Sequence, residues 1–236
     1  MIKKQIKKFK KKILKFRNRR KRNIYLSFGE NCLTDRILER HGIKSFSSPY
    51  SSGRSNIEYL LQIEEADFAD LVNTDYLEYG VADNKRVARN TKYTCENRYD
   101  ESCMKGFEFT HHDVLGKEEM RKTIKRRCIA MLELKGKHLH IYYHHRLCPE
   151  TDEERLLADL RKLKAIYESR CEQVTLVMFT QSIVSDAAER RVLREEKNGV
   201  IKYTFFTLKP WAGADNSVFW AECDDDLIKT MIHETK

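Results

Sequence analysis

Apolar residues recur along this chain in two rhythms, and the alternation between them predicts the fold. Ile24-Tyr25-Leu26-Ser27-Phe28 is a short apolar run that breaks at Gly29, followed by Leu33, Ile37 and Leu38 at helical spacing. This reads as strand, tight turn and helix, with Cys32 in the first helical turn and Gly42 as a C-cap. Residues 45–54 form a polar loop, and 56–72 carry apolar side chains at helical spacing, predicting one or two short helices. Residues 73–106 show no sustained period and predict an irregular insertion or small hairpins, before an alternating strand at 107–110. A basic helix is expected over 117–134, with Met120, Ile124, Cys128 and Met131 or Leu132 inward.

The second half is more regular. Strands are predicted at 137–143, 174–179 and 201–206, and a helix over 152–170 opened by a Thr151-x-x-Glu154 capping box. Residues 185–196 read as helical, 211–216 as a loop, and a terminal helix is expected from about 217. The apolar run Val174–Phe179 is typical of a strand buried on both faces. The expectation is an α/β domain over 23–236, its sheet mostly parallel with helices on both faces.

Charge changes the picture at one end. Residues 1–22 hold thirteen Lys and Arg and no acid; removing them from the net +9 leaves −4 on the remaining 214 residues. Ile2, Ile6, Phe9, Ile13 and Phe16 fall on one stripe of that basic segment, which predicts a helix lying on an anionic membrane surface. The acidic body argues against nucleic acid as a partner. Seven cysteines at irregular spacing do not form a disulfide framework, and there is no apolar signal core or spanning run. The expected location is cytoplasmic, peripheral on the inner face of the membrane.

Candidate chemistry centres on Cys32. A helix N-terminus favours a thiolate, and the end of a strand in an α/β fold is where such proteins place their sites. His112, at the end of the 107–110 run, is the best local candidate for a base, with Asp113 or Asp215 (beside Asn216) as its orienter. Either His144 or His145 can replace His112 if the sheet's carboxyl edge holds the site. The Cys32 N–H with Asn31 can supply an oxyanion hole, next to Gly29. His138, His140, His144, His145 and Cys148, or Cys95 and Cys103 before His111-His112, lack zinc-site spacing, so no metal is expected. No P-loop or GxGxxG occurs, and no cofactor is expected.

Ser27-Phe28-Gly29-Glu30-Asn31-Cys32, Ser48-Pro49-Tyr50, Phe109-x-x-His112-Asp113 and Arg126-Arg127 together resemble the motif series of the bacterial DUF1796 family, described as papain-like cysteine peptidases. The resemblance covers about residues 24–145. It implies Cys32 as nucleophile, His112 as base, Ser48 and Pro49 near the substrate, and a papain-like α+β fold as the alternative architecture. Tyr50-Ser51-Ser52 stands where that family tends to have Phe-Asp-Trp. A nucleophile after the first strand of a parallel sheet is also similar to SGNH-type hydrolases and acyltransferases, with Cys in place of Ser. Three readings follow: a peptidase, an acyl hydrolase or transferase on a surface glycan, and a non-catalytic module binding a ligand between Cys32 and Pro49.

Overall fold

A computed structural model describes residues 22–211 and 219–236. Two sheets organise them. The larger holds β1 (Asn23–Gly29), β5 (His138–His144), β6 (Gln173–Ile183), β8 (Val200–Thr207) and β7 (Arg191–Lys197), in that spatial order. The first four are parallel and β7 pairs antiparallel with β8 at the edge. The smaller sheet is antiparallel: β2 (Leu77–Ala82), β3 (Lys85–Asn90) and β4 (Phe107–Phe109).

Side-chain alternation along the buried strands sends successive residues to opposite faces, where each set needs its own helical cover. Ile24, Leu26 and Phe28 of β1, with Leu139, Ile141 and Tyr143 of β5, pack into one core beneath α2 (Ile57–Glu65), α3 (Glu118–Leu132) and α4 (Glu153–Glu168). Tyr25, Tyr142, Val177, Phe179, Tyr203 and Phe205 point the other way. They meet α1 (Leu33–Arg40) and α5 (Asp225–Thr235). The result is the expected α/β architecture, a mostly parallel sheet with helices on both faces. The insertion at 73–106 supplies the β2–β3 hairpin, turned by Asp83 and Asn84 at positive φ.

Three expectations shift. Residues 185–196 do not form a helix: Arg191–Lys197 is strand β7, folded onto β8 through Asn198-Gly199, both at positive φ. That pair is a hairpin turn signal, and cross-strand pairing overrides the helix preference of its Arg, Leu and Glu residues. The cap of α4 is Asp152 rather than Thr151, its side chain accepting from the Arg155 N–H at 3.0 Å. The terminal helix begins at Asp225. The basic segment lies outside the described residues up to 21, as do Asp215 and Asn216.

Glu64 is the core's anomaly. Its carboxyl is fully buried on α2, and Oε1 accepts from the Tyr50 hydroxyl at 2.7 Å and the Tyr167 hydroxyl at 2.5 Å. Oε2 has no hydrogen-bond partner. Burial pushes this acid up to about 7, against the pull of both hydroxyls and of Arg170. A raised acid favours folding below its unfolded value near 4.5 and loses that contribution as pH rises to 7. Stability should therefore fall by about 3 kcal/mol from this group between those limits. Glu64→Gln should flatten that part of a urea-midpoint profile; an unchanged slope refutes the assignment.

Candidate functional site

The carboxyl end of β1 sets the geometry. Gly29 pairs with His144, and the Glu30 N–H continues the ladder to the His144 carbonyl at 3.2 Å. The chain then turns into α1 with Asn31 Oδ1 accepting from the Leu33 N–H at 3.0 Å. Asn31 thus spends its side-chain carbonyl on starting the helix. Cys32 is the N-cap residue, one position before the first helical turn, and its sulfur makes no capping bond.

The helix terminus does not win at Cys32. Burial pushes the thiol up, and the Asp35 and Asp83 carboxylates act in the same direction. The Cys32 backbone N–H and the Arg54 guanidinium oppose them and are outweighed. The sequence expectation of a lowered thiol is corrected, because desolvation of the anion outweighs the backbone N–H and the Arg54 charge that favour it.

Residues 45–54 floor this region and bolt the two sheets together. Ser45 bonds the outer edge of β1 at Tyr25 in both directions, through its N–H and its hydroxyl. Nine residues on, Arg54 makes a two-bond bridge to Glu108 of β4, each N–H reaching the other's carbonyl at 3.0 Å. Between these anchors lies a buried hydroxyl cluster. Ser51 Oγ accepts from the Ser48 N–H at 2.9 Å and lies 3.3 Å from Ser27 Oγ, which donates to Asp35 Oδ1 at 2.8 Å. Ser48 Oγ donates to the Ser27 carbonyl at 3.4 Å, and Pro49 is buried beside it in the turn. Lys44 neutralises Asp35 at 2.5 Å.

The segment that bears His112 reaches the same floor from the small sheet. Thr110, two residues earlier, donates to the Ser52 carbonyl at 3.1 Å. Arg127 on α3 donates to the Ser48 carbonyl at 3.4 Å and is the strongest charge acting on His112. Burial, then Arg127, then His111 pull the His112 imidazole down to about 4. Its Nδ1 is buried without a hydrogen-bond partner. Asp113 does not supply one: its Oδ1 accepts from Gly116 N–H at 2.9 Å and from the Tyr79 hydroxyl at 3.0 Å. The carboxylate so engaged braces the turn after β4.

Four stretches singled out in the sequence therefore meet around one loop: Ser27–Cys32, Ser48–Tyr50, Phe109–Asp113 and Arg127. Among the described residues no hydrogen bond joins Cys32 to a histidine. The thiol at a helix start and the histidine after an antiparallel strand are both present, while the main sheet is mostly parallel and the overall architecture is not papain-like. Sequence reasoning passed over Asp35, Ser51 and Arg54, whose roles depend on the loop's path.

It also passed over Glu30. This fully buried carboxylate receives His145 Nδ1–H at 2.7 Å, the Arg146 N–H at 2.7 Å and the Tyr143 hydroxyl at 3.4 Å. His144 lies against Phe179 and Trp211, and burial with the neighbouring His145 and Arg146 charges pulls its ring down to about 3. The one available signal was an acid directly after a buried strand. Among the described residues, no three His, Cys, Asp or Glu side chains gather as a metal site. All seven cysteines are free.

Fold and site together define a three-layer α/β protein with a thiol at the carboxyl edge of its sheet. Comparisons with family models, with curated proteins and with solved structures find no match to this chain.

Proposed function

We propose that this chain is a cysteine-nucleophile acyl hydrolase or acyltransferase, with Cys32 as nucleophile and His112 as base. The observation that supports it is the convergence of the Cys32 and His112 segments on one buried, serine-lined floor at the sheet's carboxyl edge. With the thiol raised and the imidazole lowered, the resting pair is neutral. The mechanism is thus general-base attack. The S–H proton moves to the imidazole as sulfur bonds the acyl carbon, and the imidazolium returns it to the departing group. Water, or an acceptor hydroxyl, then cleaves the thioester and restores the thiol. A peptide or an acylated glycan can carry the acyl group.

A second reading keeps Cys32 and takes His145 as base, favoured by the Glu30 carboxylate that fixes its ring. Acetylation by p-nitrophenyl acetate separates the two. Cys32 should gain the acetyl group ahead of the other six thiols, at a rate that rises as the His112 imidazole loses its proton near pH 4 and is level above that through neutral pH. His112→Asn should slow it by about 100-fold or more, and a loss confined to His145→Asn would transfer the role. Equal acetylation of all exposed thiols would leave the non-catalytic module.

Among the described residues no helix is long and apolar enough to cross a membrane. The basic, striped segment 1–22 supports peripheral attachment of the enzyme to an anionic inner-membrane surface. Deleting it should abolish sedimentation with phosphatidylserine vesicles while Cys32 acetylation persists; vesicle binding by the truncated chain refutes the attachment.

A further inference from the structure

Among the described residues, most cations around the floor are matched to acids, and of those that are not, Arg127 is the one withdrawn from the surface. Lys44 holds Asp35 at 2.5 Å. Arg54 is shared between Asp83 and Glu108, and Arg89 holds Glu108 at 2.7 Å and Glu78 at 3.7 Å. Arg126 is exposed and turns back to the Lys122 carbonyl and the Thr123 hydroxyl. Arg127 is different. It is half-buried, and among the described residues it makes no ion pair; its hydrogen bond is the 3.4 Å contact to the Ser48 carbonyl. Asp35, the acid whose field reaches it, already has both oxygens engaged by Ser27 and Lys44.

A half-buried guanidinium with one long hydrogen bond leaves most of its donors unmet by protein, and its planar fork is shaped for a carboxylate or phosphate. Beside it stands a second unmet group, the buried Nδ1 of His112. Ser48 links this cation to the strand that leads to Cys32: its carbonyl accepts from Arg127, and its hydroxyl donates to the Ser27 carbonyl of β1. We infer that Arg127, with His112 beside it, forms an anion subsite of the Cys32 centre, so that the substrate carries a carboxylate or phosphate close to the group transferred. This rests on the acyl-transfer reading for its meaning, although the subsite itself can be tested without it.

Iodoacetate and iodoacetamide alkylate the same thiol and differ in charge. Reading each cysteine by mass spectrometry, the iodoacetate-to-iodoacetamide rate ratio at Cys32 should exceed that at exposed Cys223 by about tenfold. Arg127→Gln should bring it to the Cys223 ratio, Arg127→Lys should keep part of it, and Arg126→Gln should leave it intact. In parallel, inorganic phosphate or acetate, compared with chloride at equal ionic strength, should raise the thermal midpoint of wild type and Cys32→Ser but not of Arg127→Gln. The more effective anion names the substrate group. Equal ratios at Cys32 and Cys223, or a midpoint rise that survives Arg127→Gln, would overturn the subsite. Should Cys32 react with neither reagent, the midpoint series alone decides. Anion stabilisation without acetylation of Cys32 would retain the subsite and discard the enzyme.

Discussion

Gly29→Ala should destabilise the protein by more than about 3 kcal/mol, a large share of the 5–15 kcal/mol that holds a typical domain folded. Gly29 has φ +120°, a conformation that L side chains rarely adopt. An added Cβ would stand 2.6 Å from both the backbone N and the O of His144. Those are main-chain atoms of the neighbouring strand, so no rotamer change relieves the contact. Relief requires β1 and β5 to part at their carboxyl ends, where Glu30 and the turn to Cys32 begin. Urea unfolding should show a lowered midpoint with little change in slope. A loss below about 1 kcal/mol would mean that the close approach is not maintained in solution.

Glu30→Ala is the second large effect, about 3–5 kcal/mol, by a different route. The substitution leaves His145 Nδ1, the Arg146 N–H and the Tyr143 hydroxyl in a dry environment without their acceptor. Pairing it with His145→Ala in a double-mutant cycle isolates the imidazole contact. Part of the loss should be recovered in the double variant, because one orphaned donor is removed along with its partner. Strict additivity of the two changes would show that the 2.7 Å contact carries no coupling.

Elements whose signal is local were legible in the sequence. β6 announced itself by a largely apolar run, and α4 by its stripe of leucines and an acidic start. β7 was not, because Arg-Val-Leu-Arg-Glu-Glu-Lys consists largely of good helix formers. Only the Asn198-Gly199 turn and the presence of β8 decide its state. The site divides along the same line. Cys32 and His112 stand at element boundaries and carry chemistry on their faces. Glu30 and His145 lie 115 residues apart, and only the register between β1 and β5 joins them. The isolation of Arg127 is a property of the whole neighbourhood, evident only once every nearby acid has been assigned to some other cation. The raised thiol is likewise a matter of depth, which spacing does not encode.

The Ser45–Arg54 connection has a thermodynamic implication. Because one stretch of backbone both seals the free margin of the large sheet and underlies the reactive groups, occupancy and cohesion between the two sheets become a single equilibrium. Any molecule gripping that stretch also suppresses the partial detachment of the hairpin layer. The chain should then resist proteolysis more strongly with a ligand seated there than without one.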